Sequence, residues 1–159
     1  MKKTVSETEV VIHQLVLPND ANLLGNVLGG RVMHLMDVCA AMSAYRHART
    51  PVVTASVDHL DFLAPAKVGD ILILKSSVNF TGKTSMEVGV RIESESPLTS
   101  SITHTASAFL TFVSLIDNKP ASIKAIITET EEQKRRFQDG YKRSIERKKR
   151  IIELRKKSE

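Results

Sequence analysis

With 159 residues, 42% of them apolar and 26% charged, the chain has the length and composition of one domain with a core of its own, which excludes global disorder. No apolar run reaches the roughly 20 residues of a membrane-spanning helix, and the lone Cys39 excludes an internal disulfide and a cysteine-paired zinc knuckle. The formal charge of +5 is confined to one segment: residues 129–159 hold twelve Lys or Arg against seven Asp or Glu, whereas residues 1–128 hold eleven of each.

That division predicts a neutral body (1–128) followed by a basic helical tail (129–159). Aromatic residues are 4% of the chain, with no tryptophan, so the stacking platforms of a single-strand binder are scarce and nucleic acid is not the expected partner. The first residues, MKKTVSETEVV, turn acidic where a signal peptide would become apolar. A soluble, cytoplasmic protein is the expectation.

In chain order, residues 8–17 (TEVVIHQLVL) read as a strand closed by Pro18. The Asn-, Asp- and Gly-rich residues 19–30 read as loop. From Arg31 to Ala48 there is no Gly or Pro, and the run is too long for a strand. It is predicted as a helix, apolar on most of its circumference and therefore wrapped by other elements. Residues 52–62, 70–80, 84–93 and 101–116 are then read as strands, with Leu72, Leu74, Val78 and Phe80 expected on one face. Met86, Val88, Val90 and Ile92 alternate against Glu87, Arg91 and Glu93. The prediction is an α+β fold in which an antiparallel five-stranded sheet curls around one helix. A capping pair, Thr128 and Glu131, starts the tail helix, whose sparse apolar positions imply a largely solvated helix docked only in part. On that basis, deleting residues 132–159 is expected to leave catalysis intact.

Asp37 carries the chemical signal. An ionised carboxylate inside an apolar helix is costly unless it is paired or used. His34, Asp37, Ala41 and Ala44 are spaced to share a face, and the two alanines would leave room beside the carboxylate. Pairing with Arg31, Arg46 or a histidine is the structural alternative. Gly25-Asn26 and Gly29-Gly30 stand directly before the helix, where free backbone N–H groups can bind an oxyanion or a polarised carbonyl. An ordinary glycine-rich cap is the plainer reading of the same residues. The histidines at 13, 34, 47, 59 and 104 lack metal-ligand spacing. Alternation would place Asp58 and His59 on opposite faces of their strand, and Cys39 is read as core packing.

The segments NLLGNVLGGRVMHLMDVCAAMSAYRHA, VVTASVDHLDFLAPAKVGD, GKTSMEVGVRIES and TASAFLTFVSL, in this order, resemble the hotdog-fold acyl-CoA thioesterases of the cytosolic acyl-CoA hydrolase type. The similarity runs from about residue 7 to about residue 118. It implies that Asn26 and Asp37 act together across a dimer interface. It further implies that Gly29 and Gly30 offer backbone donors to the thioester carbonyl, and that coenzyme A lies along Ala55, Ser56 and Val57 and along Thr84, Ser85 and Met86. Many members carry His where this chain has Leu28. The family's assembly implies a dimer, further built into a trimer of dimers.

Taken together, these readings point to an acyl-CoA thioester hydrolase with no metal and no cofactor, coenzyme A being the carrier portion of the substrate. The alternatives are an acyl-carrier-protein thioesterase or dehydratase of the same fold, the latter needing His34, and a regulatory acyl-CoA-binding module that uses the basic tail.

Overall fold

The computed structural model describes residues 2–158. Its elements are β1 (Lys3–Thr4), β2 (Val10–Leu15), α1 (Gly29–Ala48), β3 (Val52–Phe62), β4 (Ile71–Thr81), β5 (Ser85–Glu95), β6 (Ile102–Ile116), β7 (Lys119–Pro120), β8 (Ile126–Ile127) and α2 (Glu131–Lys157). Five strands form one antiparallel sheet in the order β2-β4-β5-β6-β3, with the short β7 appended to β6. α1 packs against all five, so the sheet curls around it as expected. β1 and β8 pair in parallel beside this body. Among the described residues no helix is long and apolar enough to cross a membrane.

Alternation explains the inner face. Met86, Val88, Val90 and Ile92 of β5 are buried toward α1, together with Leu72, Leu74 and Val78 of β4 and Ala106, Ala108, Leu110 and Phe112 of β6. Phe80 departs from its expected side. A bulge at Asn79 inserts one residue between the Val78–Val88 and Phe80–Glu87 pairs, which turns Phe80 to the outer face. The strand predicted from residue 8 starts at Val10, because Ser6–Thr8 form a single 3-10 turn.

α1 is not buried all round. Val32, Leu35, Met36, Cys39, Ala40, Ser43, Ala44 and His47 face the sheet, while Met33, Val38, Met42 and Tyr45 are exposed. The expected wrapping therefore covers one side only, since a single curled sheet has just one inner face.

The tail is largely solvated and docked in part, as expected, with Gly140, Ser144 and Arg147 buried along one stripe. α2 begins at a Thr130 cap, whose side chain accepts from Gln133 N at 3.2 Å, two residues later than the Thr128 start expected. It then crosses the outer face of the sheet. Phe137 and Tyr141 meet the Phe80 ring, at centroid separations of 5.1 and 5.8 Å. Arg143 donates twice to the buried Glu87, at 2.9 and 2.7 Å, with its guanidinium 3.6 Å above the Phe109 ring. Arg150 donates to the buried Asp58 at 2.5 Å. A tail with few apolar positions docks because the sheet offers it two buried carboxylates.

Gly140 shows how close this contact is. A Cβ there would sit 2.8 Å from Phe80 Cβ and 3.1 Å from Glu87 Oε1. On helix propensity alone Gly140→Ala should stabilise by about 1 kcal/mol. Thermal unfolding is instead expected to show a net loss of about 1–2 kcal/mol, the overpacking cost exceeding that gain.

Candidate active site at the uncovered face of α1

Asp37 lies on the uncovered side of α1, half-buried, and Thr54 Oγ1 of β3 donates to its Oδ1 at 2.6 Å. No Arg or His among the described residues pairs with it, so the structural alternative of an ion pair is not what the fold uses. Exposed apolar side chains lie on the same side: Met33, Val38 and Met42 of α1, and Val57 of β3. β3 is an edge strand eleven residues long, open along one side. The face predicted from spacing is only partly realised, since Ala41 is half-buried while Ala44 sits in the core.

At its amino end α1 starts at Gly29 after Leu28, with no side-chain cap. Val32 N donates to Leu28 O, and the amides of Gly29 and Gly30 make no hydrogen bond with any described residue. The Gly30 N–H thus stands without such a partner at the positive end of a 20-residue helix, and nothing lies within 4 Å of a Cβ position on Gly30. Leucine at position 28 has no polar atom to satisfy these donors, whereas a histidine there would have one.

The loop before the helix is built around Asn22. Its Oδ1 accepts from Leu24 N at 2.9 Å and Asn26 N at 3.2 Å, and Gly25 turns at φ +77°. Gly25 O and an Asn26–Lys67 bridge tie the loop to residues 67 and 68. Both Asn22 and Asn26 line a hollow of about 360 Å³ beside Gly29. Sequence pattern singles out Asn26 alone; the ordering role of Asn22 depends on a hydrogen bond across the turn that spacing does not reveal.

The two segments assigned to coenzyme A come together through β6. Ser85 pairs with Val113 and Val113 with Val53; Met86 pairs with Phe112 and Phe112 with Thr54. They are therefore neighbouring rows on strands about 10 Å apart. Ala55 is the extra residue of a bulge, which sends Thr54 inward to Asp37 and Ser56 outward. Ser56 Oγ donates to Asp58 Oδ1 at 3.0 Å and lies 3.4 Å from Arg150 Nη2. Thr84 and Ser85 are half-buried, Val57 is exposed, and the Met86 side chain points into the core. Thr54 and Arg150 were not identified from sequence, because neither the bulge nor the path of α2 can be read from it.

Other expectations resolve plainly. A second bulge, with His59 at φ 49°, brings Asp58 and Asp61 to the same outer face and sets the His59 ring edge-on to Phe109. Burial pushes the Cys39 thiol above its ordinary range, which keeps it protonated and makes it a poor nucleophile. His34 is exposed and makes no hydrogen bond with a described residue. A larger cavity, about 510 Å³, lies on the outer face under α2, far from Asp37. Its cations already meet carboxylates, as in Lys75–Glu93 and Arg136–Glu132.

Residues 24–101 match the family described as thioesterase superfamily. The Bacillus subtilis protein named uncharacterized acyl-CoA thioester hydrolase YkhA is 39% identical over 145 residues, which cover 91% of this chain and 84% of that protein. The acyl-CoA hydrolase of Staphylococcus aureus, solved with butyryl coenzyme A, coenzyme A and coenzyme A disulfide, superimposes with a TM-score of 0.91 at 35% identity, covering 99% of this chain and 96% of that one. Solved variants of that enzyme replace an aspartate, a threonine and an asparagine with alanine. A hexameric acyl-CoA thioesterase gives a TM-score of 0.90 at 41% identity, covering 95% of this chain and 98% of that one. The chain thus belongs to the acyl-CoA thioester hydrolase family of the hotdog thioesterase superfamily.

Proposed function

We propose that this protein hydrolyses acyl-CoA thioesters to free fatty acid and coenzyme A, as a homo-oligomer whose sites form between two subunits. One observation carries the reading: a carboxylate held by Thr54 lies on an uncovered apolar face beside an unpaired edge strand. Such a face and such an edge call for cover by another chain. Closed two-fold pairing is the commonest solution, and the hexameric relative is consistent with further assembly into a trimer of dimers.

Helix geometry supports a site shared between subunits. Gly30 and Asp37 are seven residues apart, so about 10 Å of helix separates the carbonyl-binding amides from the carboxylate. Reacting groups must approach to about 3–3.5 Å. Within one subunit the two cannot serve one thioester, whereas a two-fold neighbour can bring its own helix end to Asp37. Thr54 occupies Oδ1, which leaves Oδ2 to take a proton from water. The resulting hydroxide adds to the thioester carbonyl, whose oxygen is held by the Gly30 amide and an Asn26 side chain of the neighbouring subunit. Collapse breaks the C–S bond and releases the thiolate of coenzyme A. The coenzyme A arm lies along Ala55, Ser56 and Val57 and along Thr84 and Ser85, with Met86 contributing backbone.

Complementation tests the shared site. Asn26→Ala and Asp37→Ala subunits are each expected to be inactive, and random reassociation should restore about a quarter of wild-type thiol release, because half the dimers carry one intact site. No recovery in verified mixed dimers would mean that both residues act within one subunit, or that Asn26 is not catalytic.

A further inference from the structure

The hollow beside Gly29 has a direction relative to the rest of the site. Val27, Val32, Phe62, Leu63, Pro65 and Ala66 give it an apolar wall, and its volume of about 360 Å³ falls in the range of small-molecule sites. Phe62 lies in the row of Ala106 and Ile92, while Ser56 lies in the row of Thr111 and Glu87. Six residues of strand separate the two rows, or about 15–20 Å with the bulge allowed for. The coenzyme A segments and the hollow of one subunit thus lie at opposite ends of its sheet, and Asn26 and Gly29, next in sequence to the proposed carbonyl-binding Gly30, line the hollow.

In the shared site, the thioester carbonyl is held at Asn26 and Gly30 of the neighbouring subunit, so an acyl chain leaving that carbonyl meets the apolar hollow lined by the same subunit's Asn26 and Gly29. We propose that the hollow receives the acyl chain and that the Phe62 ring sets the length it accepts; the inference rests on the thioesterase reading above. The ring is held against the helix start, since a Cβ on Gly29 would lie 3.5 Å from it. It is also 52% exposed, so it closes the hollow as a wall rather than belonging to the core. The hollow is larger than an acetyl group needs, so the substrate class is acyl-CoA with a longer straight chain.

Two measurements on the assembled enzyme test this. Thiol release is followed for straight-chain acyl-CoAs of two to sixteen carbons, and calorimetry follows binding of the matching non-hydrolysable S-alkyl coenzyme A thioethers. Burial of each methylene should raise kcat/KM and affinity up to about fourfold, with the rise ending at the length at which the chain reaches the Phe62 ring. Phe62→Ala should carry the rise to longer chains, raising the sixteen- to eight-carbon ratio of kcat/KM at least fivefold. Ala64→Phe, which fills the half-buried rim of the same hollow, should end the rise at shorter chains. Leu98→Ala, in the exposed turn after β5, should leave the profile where it was. Profiles that Phe62→Ala and Ala64→Phe both leave unmoved overturn the proposal while leaving the thioesterase reading intact. Chain-length-dependent thioether binding that Phe62→Ala extends, without hydrolysis of any acyl-CoA, supports the hollow and overturns the thioesterase reading. Thioether binding without chain-length dependence overturns the hollow as the acyl site.

Discussion

Asp37→Asn is expected to leave a folded, assembled protein whose acyl-CoA turnover falls by about two to four orders of magnitude, the span of positioned general-base catalysis. The replacement keeps the size of the side chain and an oxygen that Thr54 Oγ1 can donate to, so the 2.6 Å contact has no reason to break. It removes only the basicity. Because Asp37 is half-buried and pairs with no described cation, the loss of its charge strands nothing else. The thermal unfolding midpoint should therefore stay within a few degrees of wild type while thiol release collapses. A folded Asp37→Asn protein that retains most of its rate would sink the assignment of Asp37 as the base.

The largest effect on stability is expected from α2. Arg143→Ala leaves Glu87, 1% exposed, without the guanidinium that holds both its oxygens. Breaking a buried pair from one side costs about 3–5 kcal/mol, because the remaining charge is desolvated and unpaired. For a chain of this size that lowers the melting midpoint by about 10 °C. Deleting residues 132–159 removes Arg143, Arg147 and Arg150 together, bares Glu87 and Asp58 and uncovers Phe80. The truncated chain is expected to lose its soluble fold, which reverses the sequence-based expectation that the tail is dispensable for catalysis. The ion pair itself need not be favourable: Glu87→Gln combined with Arg143→Leu should recover much of the loss. A truncated chain with a native-like spectrum and a melt within a few degrees of wild type would show that the docked helix carries little of the stability.

Local pattern determined a great deal of this protein. The period of two in β5, with Met86, Val88, Val90 and Ile92 inward, and the uninterrupted run of α1 set the elements and their core faces, because alternation and helical spacing are backbone properties that tertiary packing here reinforces. The glycine loop before α1 and Asp37 within it were legible for the same reason. The positions of the extra residues in the bulges were not. The bulges at Asn79, at Ala55 and after Asp58 each reverse the facing of the strand residues beyond them. They turn Phe80 and Ser56 outward, bring Asp58 beside α2, and leave Thr54 on Asp37. No local propensity marks such an insertion, since it is selected by the fit of one strand against its neighbours. The contacts that dock α2 were hidden likewise: Arg143 and Arg150 read as solvated charges until the sheet places Glu87 and Asp58, buried, directly beneath them. The uncovered side of α1 is also a tertiary outcome, because a single curled sheet has one inner face and the other half of the helix is left for a second chain.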